Sequence, residues 1–145
     1  MRLKPRSSPE ILADEDALLV EAARAAIRAH YRYGFHTVGA AVRTRTGRIF
    51  TGVNLDTTVG RMAVCAEPVA VGAAIIAGER EFACIAAVRQ PRPGELPQDV
   101  AVVSPCGGCR ELLCDHAHGI GVIVPGTAGP RRIGLSDLLP LPYRR

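Results

Sequence analysis

Apolar residues recur at helical spacing from Asp14 onward, with Leu18, Leu19, Ala22, Ala23, Ala26 and Ile27 on one stripe. Asp14, Glu15 and Asp16 open that segment and suit the positive end of a helix dipole. The helix is expected to end between His30 and Tyr33, before Gly34. The period then shortens to that of strands. His36 to Thr44 is β-branched and small, Arg45-Thr46-Gly47 is turn chemistry, and Arg48 to Asn54 returns, so this region reads as a hairpin. Leu55 to Val64 reads as a loop. Ala66 to Ala77 restores the helical period through Val69, Ala70, Ala73, Ala74 and Ala77, with Pro68 in the first turn and Gly78 as the stop.

The second half alternates strand and helix. Phe82 to Val88 is a near-continuous apolar run, as a strand buried on both faces requires. Gln90 to Asp99 contains Pro91, Pro93, Gly94 and Pro97 and reads as a surface loop. Val100 to Ser104 is a short strand, Gly107 to His116 a helix with Leu112 and Leu113 inward, and Gly119 to Val124 another strand. A turn at Gly126 to Pro130, a strand from Arg131 to Leu135 and a short helix from Ser136 to Leu139 complete the pattern. Strands alternating with helices after an opening hairpin predict an α/β fold, with a mixed sheet covered on both faces.

Composition narrows the functional classes. At 145 residues the chain is expected to form one domain, residues 13–145, preceded by a mobile arm over residues 1–12 that holds two prolines, two serines and three basic residues. Hydrophobic residues are 48% of the chain, and Trp is absent, so the core is built from small aliphatic side chains. The net charge of +4 is concentrated at the ends, at Arg2, Lys4, Arg6, Arg131, Arg132, Arg144 and Arg145. No stretch interleaves basic and aromatic residues as a single-strand-binding groove does, so nucleic acid is not expected as a partner. No apolar run is long enough to span a bilayer, and the N-terminus lacks the apolar region of a secretory signal, so no membrane association is expected. Five cysteines, an odd number, point to a reducing compartment, and a cytoplasmic location is expected.

Chemistry concentrates in two short runs, Cys65-Ala66-Glu67 and Pro105-Cys106-Gly107-Gly108-Cys109-Arg110. Each heads a helical segment. Thiolate is a strong zinc ligand, and catalytic zinc sites take three protein ligands and leave one position open. The spacing of Cys106 and Cys109 lets one turn at a helix start deliver two sulfurs to one ion, with Cys65 arriving from elsewhere. Glu67, two residues beyond Cys65, is placed to move protons rather than to bind metal. Two plainer assignments compete. A structural zinc site would be closed by a fourth protein ligand such as Cys114, His116 or His118; a redox dithiol would use Cys106 and Cys109 alone and leave Cys65-Ala66-Glu67 unexplained.

The two runs resemble the signature of the cytidine deaminase family, in which His or Cys, one residue and Glu are followed later by Pro-Cys-x-x-Cys. The first ligand is Cys65, as in the small nucleoside deaminases, rather than the His of the nucleic-acid editors. Tyr33 and Val38-Gly39-Ala40-Ala41 look like the family's first strand, and the match runs from about Tyr33 to Tyr143. The resemblance implies a three-layer α/β/α sandwich with a mixed five-stranded sheet and one zinc ion per subunit, held by Cys65, Cys106 and Cys109. It implies that Glu67 shuttles protons between the attacking water, ring N3 and the departing amine of a cytosine nucleoside, yielding a uracil nucleoside and ammonia. It also implies a homotetramer, or less often a dimer.

Substrate contacts carry over position by position. Asn54-Leu55-Asp56 resembles the family's sugar-binding Asn-x-Glu, with Asp one methylene shorter. Ala66 lies within the first motif. The Phe that packs on the pyrimidine aligns with His36, and neighbouring Phe35 serves if the strand shifts. The Arg that often follows Cys-Ala-Glu is Pro68 here. Arg110 either donates to a cysteine sulfur or is a solvated helix charge. Gly47 to Asn54, Ser104 to Gly107 and the Leu138-Leu139-Pro140…Tyr143 ending are similar to the family's blasticidin S deaminases, whose loop between Asn and Cys is shorter. The first expected substrates are cytidine and deoxycytidine, with a cytosine nucleoside antibiotic such as blasticidin S as the alternative.

Overall fold

A computed structural model describes residues 11–145. Most of the arm expected over residues 1–12 lies outside the described residues; of the remainder, Leu12 packs against the core. In chain order the elements are α1 (Asp14–His30), β1 (Val38–Thr44), β2 (Ile49–Val53), α2 (Ala66–Ile76) and β3 (Phe82–Arg89). They continue with β4 (Ala101–Val103), α3 (Gly107–His116), β5 (Gly121–Val124), β6 (Arg131–Gly134) and α4 (Leu135–Leu138). Each begins or ends within a residue or two of the boundary its sequence pattern predicts.

The sheet has six strands rather than the expected five: it runs β2-β1-β3-β5-β6, and β4 pairs with β3 off that path. Strand β3 is central. It pairs antiparallel with β1 along its length; on its other edge Cys84 and Ile85 pair parallel with β5, while Ala87 to Arg89 pair antiparallel with β4. Two short strands therefore share one edge of β3. Strand β4 is shorter than the expected Val100–Ser104 because the chain must leave the edge to start α3.

Alternation along β1 and β3 explains the three layers. Leu19, Val20, Ala23 and Ile27 of α1 pack on Ala41, Cys84, Ala86, Val88 and Ile123. On the opposite face Ala40, Val42, Ile85, Ala87 and Val122 meet Ala66, Ala70, Val71 and Ala74 of α2 and Leu113 of α3. Successive residues of a strand point to opposite faces, so one run of small aliphatics supplies both cores. Gly39 is explained by packing: a Cβ there would lie 2.5 Å from the carbonyl oxygen of Ala23 in α1. Backbone touches backbone at this point, and only glycine leaves the room.

Polar groups pin α1 to the sheet. Asp16 does more than face the helix dipole: it is buried, and its carboxylate pairs with the Arg43 guanidinium at 2.7 Å and with Arg132 at 3.4 Å. Arg43, itself buried, also donates to the carbonyl of Glu15 at 2.7 Å. A buried charge is tolerated when its partners satisfy it this completely. The sequence pattern treats Asp14, Glu15 and Asp16 alike; tertiary packing selects one of them for burial.

Helix α2, which carries two of the motif residues, rests on β2 as closely as a backbone allows. A Cβ on Gly52 would lie 2.6 Å from the Ala70 amide nitrogen and 2.9 Å from the Val69 side chain. Gly72, on α2 itself, would meet nothing within 4 Å. The same substitution is thus expected to have opposite signs at the two positions. Gly52→Ala lowers stability by about 2 kcal/mol through overpacking, whereas Gly72→Ala raises it by about 0.8 kcal/mol through helix propensity. Urea unfolding midpoints measure both; equal effects at the two sites would refute this account of the α2 contact.

Candidate active site and metal centre

Helices α2 and α3 start alike. Cys65 and Cys106 are their N-cap residues, both with extended backbone, and neither side chain makes a capping hydrogen bond. An N-cap is usually Ser, Thr, Asp or Asn, whose oxygen satisfies a free N–H of the first turn. Here the sulfurs are turned to another use. Cys109, one turn into α3, is buried, while Cys65 and Cys106 are open to solvent. The three Sγ atoms lie within 4.8 Å of one another, with Cys65 and Cys106 at 3.6 Å. Sulfurs at zinc-bonding distance of one tetrahedral ion are about 3.8 Å apart, so the cluster matches a shared zinc.

The electrostatics make the same point. Burial, then the nearby Glu67 carboxylate and the other two thiols, push the Cys109 thiol far above its ordinary value. Burial also raises Cys65, with Cys106 adding to it. Burial acts in the same direction on Cys106, but the backbone N–H groups of Cys109 and Gly108 and the neighbouring thiols outweigh it and hold that thiol lower. Three sulfurs this close do not ionise together unless a cation compensates them. A dication suits the donor set, and two helix N-termini offset the residual negative charge.

Glu67 sits at the edge of the cluster. It is buried, and its Oε2 lies 3.6 Å from the Cys109 sulfur. Burial raises its pKa, partly countered by its own backbone N–H and by Cys109. A carboxyl held closer to neutrality is suited to exchanging protons. Among the described residues no fourth metal ligand joins the three cysteines. Cys114 and His118 line a different hollow, with Pro140 and Pro142, and His116 lies on the exposed end of α3. The closed structural zinc site therefore does not form, and all five cysteines are free of disulfides.

A cleft of about 350 Å³ opens over the cluster, lined by Cys65, Ala66, Glu67 and Cys106 on one side and by Asn54, Leu55 and Asp56 on another. That volume lies within the range of small-molecule sites. Residues 55–64 are not a plain loop. Leu55 and Val64 exchange backbone hydrogen bonds of 2.8 and 3.0 Å, and Gly60–Met62 forms a single 3-10 turn between them. This bridge sets Asn54 beside Cys65, although eleven positions part them along the chain.

Of the sequence-predicted contacts, Asn54, Asp56 and Ala66 line the cleft; Phe35 and His36 do not. Phe35 lies under the Arg32 guanidinium, whose carbon is 4.2 Å from the ring centroid. His36 instead holds the Asn54 backbone, with Nδ1 donating to the Asn54 carbonyl at 2.7 Å. Arg110 takes neither of its two expected roles. Its Nε donates to the Pro105 carbonyl at 2.9 Å and its Nη1 to the Leu138 carbonyl at 3.0 Å, so it steadies the cysteine turn through the backbone and ties it to α4. Val38, Val103 and Ser104 also line the cleft and were not singled out by sequence; Ser104 adjoins the Pro105-Cys106 motif, whereas Val38 gives no local signal.

Cys109→Ser is expected to reduce bound zinc from one ion per chain to well below half, read by elemental analysis of purified protein. The same variant loses the increase in melting temperature that added zinc gives the unaltered chain, because binding to the folded state alone stabilises it. Full zinc retention in Cys109→Ser would contradict the three-sulfur site.

Comparison with known proteins agrees with this geometry. Residues 13–124 match the profile of the cytidine and deoxycytidylate deaminase zinc-binding region. Blasticidin-S deaminase of Bacillus cereus is 40% identical over 92% of this chain and 96% of its own length. Cytidine deaminase of Mycobacterium tuberculosis is 32% identical over 88% of this chain and 87% of its own. The crystal structure of cytidine deaminase from Burkholderia pseudomallei superposes with a TM-score of 0.72 at 29% identity, covering 91% of this chain and all of that one. With its three sulfurs converging at two helix starts, the chain belongs to the cytidine deaminase family and is a zinc-dependent deaminase.

Proposed function

We propose that the protein hydrolytically deaminates the cytosine ring of a free nucleoside or nucleoside-like compound, releasing ammonia and leaving uracil in its place. The observation that carries this reading is the buried Glu67 carboxyl 3.6 Å from Cys109, at the edge of the three-sulfur cluster and within the cleft lining. Zinc, when bound, supplies the Lewis acidity that brings the pKa of a water towards neutrality. Glu67 takes a proton from the attacking water and passes it to ring N3; it then takes the remaining proton from the hydroxyl now on C4 and gives it to the departing amine, which leaves as ammonia while the C4 carbonyl forms. Its burial between α2 and α3 keeps that carboxyl away from bulk water, so the protons move between Glu67 and the reacting atoms. Cys65, Cys106 and Cys109 hold the ion, and Asn54 and Asp56 hold the sugar side of the substrate. Arg110 keeps the turn before Cys106 in place through Pro105.

The cleft lining favours a nucleoside over a nucleotide. Among the described residues it includes Asp56 and Glu67 and no lysine, arginine or histidine. A phosphate would meet like charge and no basic side chain from these residues, and such juxtaposition disfavours a ligand. A second reading has its own support. The 40% identity to a blasticidin-S deaminase favours a cytosine antibiotic as substrate, with the protein acting in detoxification rather than pyrimidine salvage. The reading includes a homotetramer or dimer, supported by the exposed Val59, Met62 and Val64 beside the cleft mouth. It also includes a reducing, cytoplasmic location, supported by five free cysteines; among the described residues no helix is long and apolar enough to cross a membrane.

Ammonia release from cytidine, deoxycytidine and blasticidin S, measured in parallel, tests the assignment. At least one of the three is expected to react, and Glu67→Ala is expected to lower kcat by about 10²–10⁴-fold while zinc content stays at one ion per chain. Failure of all three with zinc in place would refute the cytosine assignment. Deoxycytidylate is expected to react with kcat/KM at least about tenfold below deoxycytidine; equal rates would remove the charge argument.

A further inference from the structure

We infer that His36 is a positioning residue: it holds the Asn54 backbone in the place where the Thr37 and Val38 amides turn the side chain to present only hydrogen-bond donors to the bound nucleoside. The inference rests on the cleft being the nucleoside site proposed above. Histidine Nδ1 lies 2.7 Å from the Asn54 backbone oxygen. A carbonyl only accepts, so Nδ1 carries a proton. The Asn54 side chain is fixed independently. Its Oδ1 accepts from the backbone N–H of Thr37 at 2.7 Å and of Val38 at 3.0 Å.

Two N–H donors on one atom decide which end of the amide is oxygen, because an NH₂ group there would meet donor with donor. The Asn54 backbone N–H donates in turn to the Val38 carbonyl at 3.1 Å. Asn54 is thus held at three points by the segment 36–38, and only Nδ2 lacks a partner among the described residues. Since Asn54 lines the cleft and His36 does not, the ring acts on the nucleoside through Asn54 and never touches it.

The consequence is specific. An asparagine free to rotate offers an oxygen or an NH₂ group to a ligand with equal ease. This one offers NH₂ alone, and Asp56 beside it offers only acceptors when ionised. The ligand group that reaches Asn54 is therefore an acceptor oxygen, a hydroxyl or ether, and its binding gains from an amide that needs no ordering. Phenylalanine at position 36 would fill similar space without a donor and leave the Asn54 carbonyl unpaired. Asparagine there would restore a donor, since its Nδ2 is the same number of bonds from the backbone as histidine Nδ1.

The experiment compares the unaltered chain with His36→Phe and His36→Asn, all zinc-loaded, on cytidine and blasticidin S. His36→Phe is expected to raise KM about fivefold, the worth of one lost hydrogen bond, while kcat stays within about twofold. Zinc content should not change, the melting temperature of His36→Phe should fall by no more than about 4 °C, and His36→Asn should return KM towards that of the unaltered chain. An unchanged KM in His36→Phe overturns the inference. So does a loss of kcat accompanied by a lower melting temperature in both variants, since that pattern marks a structural role only. If the unaltered chain deaminates neither of these compounds nor deoxycytidine, the nucleoside reading falls and the inference falls with it; turnover with no variant effect removes the inference alone.

Discussion

Three sulfurs in one small volume repel one another once ionised, and the architecture around them answers that constraint. Two come from N-cap positions and the third from one turn inside α3. The positive ends of two helices thus face the place where negative charge collects. The requirement fixes where α2 and α3 begin and that both lie on the same face of the sheet. It also leaves the N-caps without the oxygen that helices normally use there, a local cost that metal binding offsets. Glu67 depends on the same arrangement, because the packing that buries it also sets it against Cys109.

Rigid contacts transmit this geometry from the sheet. Gly52 lets β2 support α2 with backbone nearly touching backbone, and Gly39 does the same for β1 and α1 on the opposite face. The Asp16–Arg43–Arg132 cluster locks the start of α1 against β1 and β6, far from the cleft. On the α3 side the link is Arg110, whose two carbonyl bonds join the cysteine turn to the short C-terminal helix. A few tenths of an ångström at either helix start would alter the spacing between sulfurs, so the close contacts sit directly behind the chemistry.

The substrate side is built differently. Its residues lie on the segment after β2, held by backbone hydrogen bonds across Leu55 and Val64 and by the ring of His36. Asp56 and Glu67 give the cleft lining its acidic side chains.

Read alone, the chain yields the element order and brings Cys65, Cys106, Cys109 and Glu67 forward as the candidate metal site, which the structure gathers into one cluster. Helical period, strand alternation and the Cys106–Cys109 spacing are local matters, written within a dozen residues, whereas Cys65 and Glu67, 41 and 42 positions from their partners, join them through the resemblance. The chain also placed Asn54, Asp56 and Ala66 at the cleft, through resemblance rather than pattern. Only the tertiary structure decided that Asp16, and not its acidic neighbours, is buried between two arginines, and that residues 55–64 close on themselves. Only it turned His36 onto the Asn54 carbonyl and Arg110 onto two carbonyls instead of a sulfur. In each case the deciding partner is distant in the chain or is a backbone atom, which no side-chain pattern encodes. Which group a polar residue meets depends on how the layers stack, and that is set by the whole core at once.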